Sequence, residues 1–456
     1  MTGSGTLLDP YVIYDVNDLQ AMENDLAAYY ELGQDIDASA TLGWGGLGFN
    51  PVGEVNNYII SRPSGDYSSS GFWTIYPADE VMWDKVDEET PDDDATYIKA
   101  WQDGCRVLFS FPTIDLPKDA VNISVRVYSR MTDVSTLTVK PSLRVGGNTY
   151  DVGDGFKVYE AGWRTSKVVI GKNPKTGLDW TIDDIEGVGA NALEAFGVLC
   201  LDASIRHVKF TQIYIRVEYD LPFQGHFDGK GYTIDKLFIN RPTEDYVGYA
   251  LGATIQNAKL TNATITGDMD TGVLAGALSF TTVTNVEAIA ANVVGGWCTG
   301  GLAGEDQGII SNCRTSGTIS ADDYDVGGLI GAAFGVYEDC VSSCTITGTY
   351  GSQKGGLIGG FWGFYGGKVR RCSASGDVSG DEELGGLIGY SDEGIVEEEC
   401  FATGDVSAQR FGGTGGLVGT AYDTEISKSY ATGDVTTVGG WGVGGFPSSA
   451  ITCSLP

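Results

Sequence analysis

Carboxylates that recur at one position of a repeated phrase are the side chains in this sequence most suited to acid–base chemistry. Asp377, Asp405 and Asp434 each follow a glycine in a Gly-Asp-Val phrase. Two carboxylates about 5–9.5 Å apart can hydrolyse a glycosidic bond. An aspartate that recurs after glycine is also typical of a turn, where its side chain hydrogen-bonds its own backbone. We favour the turn role, assign no catalytic residue and expect the protein not to be an enzyme.

Metal and nucleophile chemistry has little support in the sequence. The chain has two histidines, His207 and His226, and its nine cysteines lack the Cys-x-x-Cys spacing of zinc sites. Weak calcium candidates are Asp92, Asp93 and Asp94, but the Asp-x-Asp-x-Asp-Gly spacing of calcium loops is absent. We therefore favour a solvated loop there and expect no cofactor.

Aromatic residues beside glycine-rich phrases are the candidates for binding. A flat aromatic ring on a rigid edge can stack on a sugar ring. The same rings could instead cap a hydrophobic interior or pack against a partner subunit. The candidate contacts to a glycan or partner are Trp297, Phe361, Trp362, Phe364, Tyr365 and Trp441.

These candidates lie within a repeat. A Gly-Gly-Leu-x-Gly phrase, or a close variant, recurs six times, and its leucines are 28, 27, 28, 30 and 30 residues apart. A second phrase, which often begins with cysteine and ends in Gly-Asp-Val, follows the first. The recurring leucines are Leu274, Leu302, Leu329, Leu357, Leu387 and Leu417, and the recurring cysteines are Cys313, Cys340, Cys372 and Cys400.

The spacing of the glycines predicts strands instead of helices. A helix would lose about 1 kcal/mol for each interior glycine, whereas strands of 4–6 residues fit between glycine turns. One such unit cannot bury its own apolar face, but stacked units share a continuous core. We therefore predict a β-solenoid in which the leucines form an internal ladder and the cysteines a buried column.

The combination of phrases resembles a known repeat. Gly-Gly-Leu-x-Gly followed by Cys-(Tyr/Phe)-Ala-Thr-Gly-Asp-Val is similar to the GLUG motif, and Leu417 to Val435 is close to a consensus copy. The resemblance covers about residues 225–450. It implies a right-handed β-solenoid of a kind that accompanies adhesins and some surface peptidases.

The amino-terminal residues are predicted to belong to the same solenoid, with a short helix over residues 17–30 closing its open end. Phe49-Asn50-Pro51-Val52-Gly53 resembles the usual lead-in to a phrase that appears only at residues 223–231. A separate domain is therefore predicted inside one turn. The expected domains are residues 1–55 (cap and first strands), 56–220 (insert) and 221–456 (solenoid).

The insert alternates apolar and polar residues with period two, as at residues 121–128 and 210–219. This pattern predicts an antiparallel β-sandwich of jelly-roll type. Several ordered phrases over residues 80–220, among them Asn173-Pro174-Lys175-Thr176-Gly177, resemble a β-sandwich module of tailed-phage virion proteins. The predicted fold class is thus all-β: a right-handed solenoid of GLUG-type repeats, interrupted near its amino terminus by an inserted sandwich.

Charge restricts the partners. The chain has 61 acidic and 28 basic side chains and a net charge of −33, which disfavours nucleic acid and anionic membranes. No apolar run is long enough to span a bilayer, and residues 1–5 lack the pattern of a secretory signal.

From these observations we expect a non-enzymatic structural protein of a tailed virus: a fibre, spike or decoration on the virion surface. The expected partners are other virion proteins, further copies of the chain (a trimer is favoured) and a host glycan or receptor. Two alternatives remain open: a prokaryotic cell-surface adhesin, and a polysaccharide-degrading solenoid enzyme.

Overall fold

The chain divides into two compact units. The computed structural model describes residues 1–78, 81–93, 95–132, 137–158, 163–201, 208–364, 366–410, 412–438, 443–444 and 452–453. The first unit, called the solenoid unit below, comprises Met1–Glu54 and Pro222–Pro456, and the second, called the inserted unit, comprises Val55–Leu221. Asp94, Tyr365 and Trp441, which the sequence singles out, lie outside the described residues.

The solenoid unit is a β-solenoid of about eight turns. Its strands form four sheets, and the strands of successive coils pair in parallel and in register. A single coil visits the sheets in a fixed order. For example, Val326–Gly327 lies in the third sheet, Ile330–Ala333 in the fourth, Val336–Glu338 in the first and Val341–Thr347 in the second.

The strands of the first two sheets are short. The first sheet contains Tyr11–Ile13, Tyr29–Leu32, His226–Asp228, Thr254–Gln256, Thr282–Thr284, Ile309–Ser311, Val336–Glu338, Lys368–Arg370, Ile395–Glu397, Glu425–Ile426 and Thr452–Cys453. The second contains Ile36–Asp37, Thr233–Asp235, Phe238–Asn240, Lys259–Thr261, Thr264–Thr266, Glu287–Gly295, Arg314–Ala321, Val341–Thr347, Ser373–Ala374, Val378–Gly380, Phe401–Ala402, Val406–Ala408, Tyr430–Ala431 and Val435–Thr437.

The third and fourth sheets contain the Gly-Gly-Leu-x-Gly phrases. The third comprises Thr299–Gly300, Val326–Gly327, Ser352–Gly355, Glu382–Gly385, Thr414–Gly415 and Val443–Gly444. The fourth comprises Tyr249–Leu251, Ala275–Ser279, Ala303–Asp306, Ile330–Ala333, Ile358–Trp362, Ile388–Asp392 and Val418–Tyr422.

The repeated leucines and cysteines line the interior. Leu302, Leu329, Leu357, Leu387 and Leu417 are fully buried in one hydrophobic core, whereas Leu274 is only partly buried against it. The four cysteines Cys313, Cys340, Cys372 and Cys400 are also fully buried and carry free thiols. Each thiol donates to a backbone carbonyl two or three residues earlier in the chain.

The glycines of the phrase allow the coils to approach closely. A Cβ at Gly356 would collide with the carbonyl oxygen of Gly386, and a Cβ at Gly386 with that of Gly416. None of these glycines has a positive φ, so backbone conformation does not require glycine there. Glycine is therefore required at these positions because the neighbouring coil lies too close for a side chain.

The amino-terminal helix is shorter than the sequence predicts. Helix α1 spans Val16–Gln20 and is followed by the 3₁₀ helix Ala21–Asn24; a further 3₁₀ helix spans Ser39–Gly43. Asp15 caps α1 by accepting from two backbone N–H groups. The chain leaves the helix early because residues 29–32 pair in parallel with Tyr11–Ile13.

The inserted unit consists of two antiparallel sheets that share one hydrophobic core. The first contains Gly65–Ser70, Arg106–Ser110, Leu137–Val145, Asn148–Asp151, Phe156–Val158 and Leu193–Leu201. The second contains Glu54–Ser61, Trp73–Tyr76, Tyr97–Ala100, Val121–Thr132, Arg164–Ile170 and Val208–Leu221. The unit also has helix α2, Ile182–Ile185, with a capping box at Thr181, and the 3₁₀ helix Trp83–Lys85.

The leucine ladder supplies a test of the fold. We expect Leu357→Ala to lower the free energy of unfolding by about 2–5 kcal/mol, because the cavity it leaves lies in a fully packed column. Leu274→Ala is the matched control from the same phrase. It should cost less, because Leu274 is partly exposed and already borders an apolar cavity of about 120 Å³. Denaturant unfolding followed by circular dichroism measures both, and equal losses would contradict the ladder.

Candidate functional site

Five consecutive coils present a polar side chain at the same place, two residues before the first glycine of the phrase. This set is called the acid column and comprises Asp270, Cys298, Asp325, Gln353 and Glu383. All five have φ between 45° and 65°, a conformation that costs a residue with a Cβ roughly 1–2 kcal/mol. The same conformation recurs at another corner of successive coils, as at Asn257, Asn285 and Asn312, so it is a general feature of the corners of this solenoid.

Asp325 is the central carboxylate of the acid column. It is 5% exposed, and its Oδ2 accepts a hydrogen bond of 3.1 Å from the indole Nε1–H of Trp297. Its Oδ1 is buried and has no hydrogen-bond partner. Burial raises the pKa of Asp325 from 3.8 to about 7. This carboxyl group therefore retains an acceptor atom that the protein leaves unsatisfied.

Asp270 repeats this arrangement two coils away. It is 2% exposed, and its Oδ1 likewise lacks a partner. Burial, and then the negative charge of Glu305, raise the pKa of Asp270 to about 7. Cys298 lies between the two aspartates, and burial raises the pKa of its thiol. The column thus contains two buried carboxyls, each with an oxygen that is not hydrogen-bonded within the protein.

Aromatic rings lie on the coils beside the acid column. Four of them, called the aromatic row, project from or directly follow strands of the fourth sheet: Phe334, Trp362, Tyr390 and Tyr422. Phe334 and Trp362 stack with centroids 5.1 Å apart, and the next two centroid distances along the row are 6.1 and 5.8 Å. Tyr422 is 52% exposed and the other three rings are partly exposed.

The acid column and the aromatic row meet at Gly360. A side chain at this position would collide with both the Oδ1 of Asp325 and the ring of Trp362. On the other side of the column, Trp297 and Tyr324 precede Cys298 and Asp325 in the chain, and their rings are 6.1 Å apart. The unsatisfied carboxylate oxygen therefore lies next to the aromatic surface.

The aromatic residues singled out in the sequence have different positions. Trp297 and Phe364 are 47% and 51% exposed, and Trp362 is partly exposed. Phe361 is fully buried and packs edge-on against Tyr337, so its assignment as a glycan contact is wrong. Neighbouring residues of the strand Ile358–Trp362 point to opposite faces, and Phe361 points inward where Trp362 points outward.

The aspartates of the Gly-Asp-Val phrase form a ladder between coils. Asp377 Oδ1 accepts from the backbone N–H of Asp405 at 3.0 Å, and Asp405 Oδ1 accepts from that of Asp434 at 2.8 Å. The sequence analysis predicts a bond to the residue's own turn, and the partner is instead the next coil. These exposed carboxylates stabilise the stacking of turns.

The carboxylates of the weak calcium candidates that the structure describes, Asp92 and Asp93, pair with protein side chains and backbone. Asp93 forms a two-point ion pair with Arg130, with distances of 2.7 and 3.0 Å. Asp92 accepts hydrogen bonds from Thr96 and Thr211. Across the described residues, no group of three or more His, Cys, Asp or Glu side chains is arranged to hold a metal ion.

Sequence analysis misses the acid column and three of the four rings of the aromatic row, all except Trp362. The available signal is position: Asp270, Asp325 and Glu383 recur at a fixed offset before the phrase, just as the leucines recur at a fixed position within it. The residues at that offset vary in type, so a search for identical residues passes over them.

Comparison with known proteins supports the repeat. The GLUG motif matches residues 412–436. A search of curated proteins finds no match. Across the described residues, no helix is long and apolar enough to cross a membrane.

Three solved structures show weak likeness. The carboxyl-terminal CBM6 of LamC, a laminarinase from Zobellia galactanivorans, is 10% identical, covers 36% of this chain and 99% of its own, and has a TM-score of 0.19. The CBM22-1 xylan-binding domain of Paenibacillus barcinonensis Xyn10C is 12% identical, with 36% and 97% covered and a TM-score of 0.22. A putative immunoglobulin A1 protease of Bacteroides ovatus is 18% identical, with 49% and 70% covered and a TM-score of 0.30. At these TM-scores none of the three bears on function.

The buried carboxyls predict an unusual dependence of stability on pH. The pKa of Asp325 is about 7 in the folded protein against 3.8 ordinarily, so its contribution to stability is fully present below about pH 3.8 and is lost as pH rises through 7. Asp325→Asn stays uncharged at every pH. We therefore expect the melting temperature of this variant to fall less than that of the wild type between about pH 4 and pH 7. The exposed Asp405→Asn serves as control and should behave like the wild type. An unchanged pH dependence in Asp325→Asn would contradict the assignment.

Proposed function

We propose that this chain is a non-enzymatic attachment protein that binds glycans through the outer face formed by the aromatic row and the acid column. The observation that carries the proposal is the aromatic row, in which four rings that are at least partly exposed follow one another on successive coils with centroids 5.1 to 6.1 Å apart. Sugar rings present both an apolar face, which stacks on aromatic rings, and hydroxyl groups, which donate hydrogen bonds.

The aromatic row supports this role by its spacing. Its rings follow one another at 5.1 to 6.1 Å on successive coils, so a ligand that lies along the row contacts several rings at once. The coils themselves fix the rings, because each belongs to or adjoins a paired strand. Little conformational entropy is then lost when a ligand binds.

The setting we propose is the surface of a virus particle, where the chain forms a fibre, spike or decoration together with other virion proteins and further copies of itself, as a trimer. Its support is the resemblance of residues 80–220 to a tailed-phage virion module, together with the strongly acidic composition. A repetitive, rigid solenoid suits a projection that presents the same face many times.

Substitution of the central ring tests the binding face. We expect Trp362→Ala to weaken glycan binding about 5- to 150-fold, the effect of losing roughly 1–3 kcal/mol, which is what removal of an aromatic ring that stacks on a base costs. Tyr430→Ala removes a ring that is 50% exposed on the second sheet, whereas the row belongs to the fourth, and it should leave binding unchanged. A broad glycan array followed by titration calorimetry measures both. Equal affinity of Trp362→Ala and wild type, or no binding to any saccharide, would refute the proposal.

A second candidate, cleavage of the glycan, is favoured by one observation. Asp270 and Asp325 are buried carboxyls with a pKa of about 7, two coils apart. Two strand spacings place their backbones roughly 9.6 Å apart, close to the separation of about 6.5–9.5 Å between the carboxyls of inverting glycosidases. One protonated and one ionised carboxyl would suit an acid and a base.

A reducing-end assay separates attachment from cleavage. Under the attachment proposal, wild type releases no reducing ends from a glycan that it binds. Turnover by wild type that disappears in both Asp270→Asn and Asp325→Asn, and persists in Asp405→Asn, would establish the second candidate instead.

A further inference from the structure

We propose that the core of the solenoid unit contains a binding site for one small, uncharged, apolar molecule of about the size of benzene. The site is a cavity of about 120 Å³ inside the first coils, and most of the side chains that line it belong to the hydrophobic core. The rings of the aromatic row are not among them. The site is therefore separate from the proposed glycan face.

The cavity is present because the leucine ladder begins at Leu274. The backbone N–H of Val247 donates to the carbonyl oxygen of Asp270 at 3.2 Å. The very next residue, Gly248, accepts from the backbone N–H of Gly276 at 2.8 Å. One step along the earlier coil is thus paired with the whole stretch from Asp270 to Gly276. The earlier coil has no counterpart of the segment that carries Leu274, and space is left at that end of the ladder.

The burial of the core residues shows where this space lies. Phe227, Ile255, Val283 and Ile310 occupy one column of the first sheet, in register on successive coils. Phe227 and Ile255 are 7% and 6% exposed, although both line the interior cavity, whereas Val283 and Ile310 are fully buried. The column is therefore completely packed only from the coil of Val283 onward.

The lining determines the chemical class of the ligand. None of the described residues that line the cavity carries a charge, and Tyr249 has the one polar side chain among them. An ion or a strongly polar molecule would lose its hydration in such a cavity without gaining equivalent hydrogen bonds. An uncharged apolar molecule is therefore favoured. The larger apolar side chains of the lining include Met22, Phe49, Phe227, Ile255, Leu260 and Leu274.

The volume of the cavity sets the size of the ligand. An apolar cavity of about 150 Å³ lined by Leu, Ile and Phe stays dry and binds benzene or xenon, and the cavity here is only slightly smaller. Its walls include strands that pair on both sides, such as His226–Asp228 and Thr254–Gln256. Because these walls are already ordered, little conformational entropy is lost when a ligand enters.

Binding of benzene to the whole chain, with pyridine as a polar molecule of the same shape, tests the proposal by ligand-observed NMR. We expect wild type to bind benzene at millimolar or lower concentration. Pyridine should bind at least about tenfold more weakly, because its ring nitrogen gives up a hydrogen bond to water on entering an apolar cavity. Benzene should also raise the melting temperature, since it binds the folded state and not the unfolded one.

Ala275→Leu fills the cavity, because Ala275 lines it and is 4% exposed. We expect this variant to bind benzene at least about tenfold more weakly than wild type, without a fall in melting temperature. Ala40→Leu is the matched control for binding. It adds the same side chain at an exposed position of the same unit and should bind benzene as wild type does.

Ala303→Leu is the matched control for stability. Ala303 pairs with Ala275 in the next coil, but it is fully buried and is not part of the lining. Leucine there should lower the melting temperature by overpacking. Wild type that binds neither probe, or binds pyridine as tightly as benzene, would overturn the proposal. So would an Ala275→Leu variant that binds benzene like wild type, or one whose melting temperature falls as far as that of Ala303→Leu.

Discussion

In-register pairing of successive coils is the constraint on which the solenoid unit depends. Each coil is too short to bury its own apolar face, so the leucines are buried only because every coil stacks directly on the one before. The glycines of the phrase make this possible, since a side chain at Gly356 or Gly386 would strike the backbone of the neighbouring coil. The register that aligns the leucines in the core also places outward-facing side chains of successive coils next to one another.

The candidate site is a product of that alignment. The acid column recurs at one position of the repeat, although its residue types change from one coil to the next. The aromatic row is staggered, since Tyr390 pairs with Gly360 and not with Trp362. A single coil supplies one carboxyl or one ring, and neither would hold a ligand alone. Because the coils stack, these separate side chains come together in one continuous face, and no loop or domain has to move.

The sequence was sufficient to predict those parts of the molecule in which the same residue type recurs from coil to coil. The fold class, the interior position of the leucines and the burial of Cys313, Cys340, Cys372 and Cys400 could be predicted because close packing forces similar residues to recur. The short helix α1 was predicted too long, because its propensity to continue is outweighed by the pairing of Tyr29–Leu32 with the first strand. Phe361 was misassigned because a glycine-rich phrase does not reveal which face of the strand a residue occupies. Asp270 and Asp325 were missed because their chemistry depends on burial.

The ends of the inserted unit have a consequence for how such a chain can change. Its first strand, Glu54–Ser61, pairs with its last, Val208–Leu221, and the backbone N–H of Asn56 donates to Asp220 Oδ1 at 2.9 Å. Entry and exit are thereby fastened to each other by the lobe's own bonds. A different domain whose termini lie equally close together would therefore fit in place of the inserted unit. Such an exchange would change the inserted domain and leave the coils of the solenoid unit as they are.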